Sequence, residues 1–288
     1  METRVRSNRR ATTRGTAPTK KVSFVRPRSR QKVVALAATP QAVEIDLGAT
    51  ALLVIDMQND FLHPEGWSAS RGMDIAPVRA VLPAIERLTS RVRRAGVPVI
   101  WVNWGVRPDH ANISASFVAR ARGAHGPSYG DLAPSGRGRI LVRDDWGAAT
   151  IDELTVDPVD LLVHKHRLSG FWDNELDSIL RHRGITTLLF SGINTDRCVF
   201  TSLQDANFLG YDCVLVEDAC ATTSPEFVRD AVLYLVRLTF GVVASSDAIG
   251  AAIRNWAPRR SRPAAVRDRA RDARPGRSGL VAATRGTR

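Results

Sequence analysis

Three residues far apart in the chain have side chains suited to hydrolysing an amide. Cys198 lies in Ser191-Gly192-Ile193-Asn194-Thr195-Asp196-Arg197-Cys198, between an apolar run, Ile185 to Phe190, and a helix-like stretch, Val199 to Leu209. A cysteine where a strand turns into a helix meets free backbone N–H groups and the positive end of the helix dipole. That setting is expected to lower the thiol pKa and favour the thiolate, the form that attacks carbonyl carbon. Asp56 follows the apolar run Ala51-Leu52-Leu53-Val54-Ile55 and could take the thiol proton. Lys165 follows Leu161-Leu162-Val163 and could stabilise the thiolate. Backbone N–H groups of the turn before Cys198 could hold a tetrahedral oxyanion.

Each residue alone has a plainer explanation. A lone cysteine is usually a small buried hydrophobe, an aspartate a cap, a lysine a solvated strand end. Their common position, each at the C-terminal end of an apolar strand, is what points to a site. Cys213 and Cys220 read as core residues, and Phe61 and Trp172 as core or pocket lining. His164 and His166 flank Lys165 with no carboxylate at ligand spacing, so no metal and no cofactor is expected.

The elements that must position these residues alternate. Strands are expected at 51–55, 97–103, 161–163, 185–190, 213–216 and 241–244. Helices are expected at 77–95, near 114–121, and at 173–183, 199–209, from Ser224 onward, and at 246–256. Residues 104–150, rich in Gly, Pro, Arg and Ser, read as a long excursion over the site rim. In the helix opening at Ser224, serine is the expected cap and Pro225 the first helical residue. Short, wholly apolar strands between helices predict an α/β fold: a three-layer α/β/α sandwich on a mostly parallel, roughly six-stranded sheet.

The net charge of +12 belongs to the ends of the chain. Residues 1–40 carry +10 and residues 257–288 carry +8, which leaves about −6 for residues 41–256. Residues 1–40 are therefore expected to be a disordered basic extension, 41–256 the folded domain, and 257–288 a disordered Arg-rich tail. The basic segments lack aromatic residues interleaved for base stacking, so nucleic acid is not an expected partner. A solvated extension is preferred for residues 1–40, with an organelle transit segment as the alternative. Three cysteines without metal spacing fit a reducing compartment, the cytoplasm, and no apolar run is long enough to span a membrane.

Taken together, Leu53-Val54-Ile55-Asp56-Met57-Gln58-Asn59-Asp60-Phe61, Lys165 with Ser169-Gly170-Phe171, and Gly192 through Val199 resemble the isochorismatase-like cysteine hydrolase superfamily. The resemblance spans about residues 45–250. It implies an Asp56–Lys165–Cys198 triad, a non-proline cis peptide at Ile193–Asn194, and an oxyanion hole from the N–H groups of Asn194 and Cys198. Isochorismatases proper, which cleave a vinyl ether, lack the cysteine, so Cys198 implies C–N hydrolysis. Nicotinamidases add an Asp/His metal site after the first strand; this chain shows no such cluster, and Trp101-Val102-Asn103-Trp104 occupies the neighbouring region. The segments 169–177, 210–212 and 222–226 look most like the branch of ureidoacrylate amidohydrolase, N-carbamoylsarcosine amidase and biuret hydrolase. The resemblance thus implies a small ureido or carbamoyl amide as substrate, with release of ammonia, and a homodimer or homotetramer. A urea-like group between Phe61 and Trp172 is the expected pose. A nicotinamidase-like amidase or an isochorismatase is the alternative within the fold, and a basic nucleic-acid-associated protein the alternative outside it.

Overall fold

The computed structural model describes Ser23, residues 31–123 and residues 126–256. The expectations for residues 1–30 and 257–288 lie outside the described residues. In chain order the strands are β1 (Val33–Leu36), β2 (Val43–Asp46), β3 (Thr50–Ile55), β4 (Val99–Trp104), β5 (Leu161–Lys165), β6 (Thr187–Ile193), β7 (Asp212–Ala221) and β8 (Val242–Ala244). The helices are α1 (Asn59–Leu62), α2 (Trp67–Ser70), α3 (Ala76–Arg79), α4 (Leu82–Ala95), α5 (Ala115–Arg122), α6 (Leu176–His182), α7 (Phe200–Phe208), α8 (Glu226–Leu235) and α9 (Ser246–Arg254). Among the described residues no helix is long and apolar enough to cross a membrane.

Six strands form one parallel sheet in the order β5-β4-β3-β6-β7-β8. Side chains alternate across each strand, and both faces are apolar. Leu52, Val54, Trp101, Leu189 and Val214 pack on one face with α4 and α9. Leu53, Ile55, Val102, Phe190 and Leu215 pack on the other with α6, α7 and α8. This is the three-layer sandwich. From β3 the chain builds outward to β4 and β5, then returns to the other side of β3 with β6. The connections therefore diverge between β3 and β6, and a crevice opens at the C-terminal ends of those two strands. Their backbones approach so closely that a Cβ on Gly192, whose φ is +110°, would lie 2.1 Å from the Ile55 carbonyl oxygen. Only glycine fits there.

Several local expectations are corrected. The domain starts earlier than residue 41: β1 lies inside the stretch expected to be disordered and pairs antiparallel with β2. Val34 and Leu36 are buried, and Thr39 exchanges two backbone hydrogen bonds of 2.9 Å with Val243. Composition averaged over forty residues hid a four-residue apolar run. The helix expected at 77–95 is two helices. Pro83 has no N–H to give the carbonyl of Arg79, so the chain breaks at Ala80–Val81, and α4 restarts with the proline in its first turn. β7 does not stop at Glu217-Asp218 but runs to Ala221. Asp218 accepts hydrogen bonds from the backbone N–H (2.7 Å) and hydroxyl (2.6 Å) of Ser246, so its charge is satisfied within the strand. Ser224 does not cap α8. The helix begins at Glu226 without a side-chain cap, and the Ser224 hydroxyl donates to Asp196 instead.

Candidate active site

Asp56 leaves β3 with φ of +55°, an αL conformation that turns its side chain over the end of the sheet. Its own N–H is held by the carbonyl of Val102 on β4 (3.0 Å). Lys165, last residue of β5, reaches across the end of β4. Its ammonium lies 4.2 Å from the Trp104 ring centroid and 3.0 Å from Asp56 Oδ2. Both side chains are essentially inaccessible, at 0% and 2%. Lys165 also donates to the carbonyl of Arg167 (3.2 Å). After β6 the Ile193–Asn194 peptide is cis. The chain then enters one π-helical turn, Thr195–Val199, which runs into α7 and carries Cys198. The Cys198 sulfur interacts with both Asp56 and Lys165. Neither Asp56 oxygen has a well-aligned hydrogen bond.

Asp56, Asn194 and Cys198 line one cavity of about 260 Å³, with Lys165 behind them against Asp56. Two remote contributions complete its walls. Trp67, Ser68 and Arg71 come from α2 and the residue after it, and Phe117, Arg120 and Tyr129 from the excursion between β4 and β5. Phe61 also lines the cavity. Trp172 does not: it is 58% exposed, and its indole N–H donates to Asp205 on α7 (2.6 Å). In that turn Phe171 takes the buried place instead, and the tryptophan is turned outward to α7.

The electrostatics differ from the expectation of a lowered thiol pKa. Burial pushes the Cys198 thiol up to about 12; the Asp56 charge adds to this and Lys165 opposes it. Burial also raises the Asp56 carboxyl above its ordinary range, against the attraction of Lys165 and the contact with Cys198. Desolvation is the largest influence on both groups.

Three supporting features had no role assigned from sequence. Gln58 accepts from the Trp104 N–H (2.8 Å) and donates to the carbonyls of Trp104 (2.8 Å) and Ala148 (2.7 Å), fixing the end of β4 next to Lys165. Asp60 accepts from the N–H groups of Leu141 (2.8 Å) and Trp67 (3.3 Å), tying the excursion to α2; burial raises its pKa to about 6. The Asn194 side chain accepts from the Thr223 N–H (3.1 Å), an anchor supplied by the turn that follows β7. Gln58 and Asp60 fall within the motif around Asp56, and polarity beside an apolar strand was their only signal. Arg71, Arg120 and Tyr129 carried none, since loop excursions cannot be placed from one sequence. His164 is half-buried against Gly105, and no cluster of three or more His, Cys, Asp or Glu residues able to hold a metal occurs among the described residues.

Residues 50–248 match the isochorismatase domain family. The chain belongs to the isochorismatase family. It is similar to ureidoacrylate amidohydrolase RutB of Rhizobium rhizogenes, 34% identical over 232 residues that cover 81% of this chain and 94% of that protein. Among solved structures it is similar to a cysteine hydrolase from Pseudomonas syringae pv. phaseolicola, with TM-score 0.61, 26% identity and coverage of 74% of this chain and 96% of that one. It is also similar to N-carbamoylsarcosine amidase from Thermoplasma acidophilum, with TM-score 0.53, 30% identity and coverage of 69% and 96%. The parallel sheet and its helices are those of a family hydrolase, and the chain is an enzyme of that class.

Proposed function

We propose that the chain is a metal-independent cysteine amidohydrolase that cleaves the C–N bond of a small ureido or carbamoyl amide and releases ammonia. The observation that carries this reading is the buried 3.0 Å Lys165–Asp56 pair against the floor of the cavity that Cys198 lines. On binding, the carbonyl carbon of the substrate sits against the sulfur. Asp56 takes the thiol proton as the S–C bond forms, and Lys165 offsets the negative charge that passes from carboxylate to sulfur. The carbonyl oxygen becomes an oxyanion, held by the backbone N–H groups of Asn194 and Cys198. Asp56 returns the proton to the leaving nitrogen, the C–N bond breaks, and a thioester on Cys198 remains. Water then attacks the thioester with Asp56 again as base, and the thiol is regenerated.

The cavity is smaller than the roughly 300–1,000 Å³ of sites for drug-sized ligands, which supports a small substrate. The similarity to a ureidoacrylate amidohydrolase and to an N-carbamoylsarcosine amidase supports the ureido or carbamoyl class. A panel of ureido acids, carbamoyl amino acids, biuret and nicotinamide, followed by ammonia release, tests the reading. Turnover of a ureido or carbamoyl member that is lost in Cys198→Ala and Asp56→Asn is expected. Turnover of nicotinamide alone, or undiminished turnover by Cys198→Ala, contradicts it.

A further inference from the structure

The cavity holds an imbalance of charge that the bond-breaking chemistry does not use. At its floor Asp56 and Lys165 offset each other. Of the three arginines on its walls, Arg197 is committed, with Asp196 at 3.5 Å and hydrogen bonds to Thr223 (2.9 Å) and Ser224 (3.2 Å). Arg71 and Arg120 are not. Neither takes part in any ion pair among the described residues. Other arginines of the same rim are paired: Arg122 with Asp131, Arg137 with Glu65, Arg139 with Asp145.

Arg71 and Arg120 are instead held on aromatic faces. The Arg71 guanidinium lies 4.8 Å from the Trp67 ring centroid and that of Arg120 lies 5.6 Å from Phe117, and all four residues line the cavity. Stacking leaves the in-plane donors free. Arg71 Nε is buried without a hydrogen-bond partner, an unpaired donor in the cavity wall. Arg71, Tyr129 and Cys198 line the same cavity, so the unpaired donor and the sulfur share one enclosed space.

We propose that Arg71 and Arg120 bind a carboxylate at the far end of the substrate, so that the enzyme selects N-carbamoyl or ureido acids over neutral ureas. The planar guanidinium fork matches a planar carboxylate. A urea group on the sulfur and a carboxylate on the arginines place the two ends of a short acid across one cavity. The contact persists through both chemical steps, because the acid-bearing nitrogen stays on the acyl-enzyme while ammonia leaves. This inference rests on the amidohydrolase reading for the identity of the reacting end; the anion contact is tested separately.

N-carbamoylglycine and N-carbamoyl-β-alanine are each compared with the corresponding neutral primary amide. Binding to Cys198→Ala protein is measured by calorimetry, and urea cleavage by the intact enzyme by ammonia release. At least one acid is expected to bind about 10- to 100-fold more tightly than its amide, the worth of a charge-assisted contact. Arg71→Gln or Arg120→Gln in the Cys198→Ala background removes about tenfold or more of that preference, weakening the acid more than the amide. In the active enzyme the same changes raise KM for the acid with a smaller effect on kcat. Equal affinity for acid and amide, including no binding of either, overturns the proposal, as does an equal loss for both ligands in the arginine variants. Arginine-dependent preference for the acid without any cleavage refutes the amidohydrolase reading and leaves the anion site standing. Cleavage of acid and amide with equal kcat/KM does the reverse.

Discussion

Replacing Lys165 by Met removes one half of a fully buried ion pair while keeping most of the side-chain volume. Coulomb's law with an effective dielectric constant of about 20 puts the attraction at about 5.5 kcal/mol across 3.0 Å. Removing one partner of a buried pair generally costs about 3–5 kcal/mol, because a charge is left unpaired. The variant can escape part of that cost by protonating Asp56. Burial already lifts this carboxyl above its ordinary value, and Lys165 opposes the lift, so losing the lysine raises it further. The carboxyl is then a less available proton acceptor, and kcat falls by at least about 10³-fold. Stability carries a second signature. An acid whose folded pKa lies above its unfolded value favours folding while protonated, and loses that contribution as pH rises through the folded pKa. Urea unfolding of Lys165→Met therefore gives a stability that falls steadily as pH is raised above about 4, the unfolded carboxylate value. In Asp56→Asn/Lys165→Met the part of this slope that belongs to Asp56 is absent, and only that of other groups such as Asp60 remains. The assays are urea unfolding and ammonia release from pH 4 to 9. Lys165→Met with activity within tenfold of the parent and no added pH slope refutes the coupling.

Gly192→Ala forces a Cβ within 2.1 Å of the Ile55 carbonyl oxygen at φ of +110°; a loss of more than about 3 kcal/mol in urea unfolding is expected. Gln58→Ala strips three hydrogen bonds from Trp104 and Ala148. It should cost about 2–4 kcal/mol and lower kcat, read by unfolding and turnover on the same preparation. Asp60 has a folded pKa of about 6 against an ordinary 3.8. It therefore contributes a loss of stability as pH rises from 4 to 6, which Asp60→Asn should remove from the unfolding profile. Dialysis against a chelator should leave turnover unchanged; a loss restored by added divalent metal contradicts the metal-independent reading.

The sheet was legible because its strands are buried on both faces and read as short apolar runs between helices. That logic also put Asp56, Lys165 and Cys198 at strand ends, and the crevice between β3 and β6 brings them together. What sequence hid has particular causes. Pro83 splits α3 from α4 through one missing N–H, a local effect that apolar spacing does not register. β1 was masked by its basic surroundings. The thiol's environment was misjudged because turn geometry is visible in a motif and burial is not, and burial dominates. Trp172 and Phe171 are adjacent, and which one turns inward depends on α7. The cavity walls from the excursion, Phe117, Arg120 and Tyr129, depend on a long-range contact through Asp60 to Leu141 and Trp67.

The measurement that bears most directly on the nucleophile is acid-quenched mass spectrometry of the enzyme mixed with a turned-over ureido or carbamoyl substrate. A transient adduct of substrate less ammonia, on the peptide containing Cys198 and absent in Cys198→Ala, is the expected result. Ammonia release at an undiminished rate by Cys198→Ala, or an adduct confined to the peptides of Cys213 or Cys220, contradicts it.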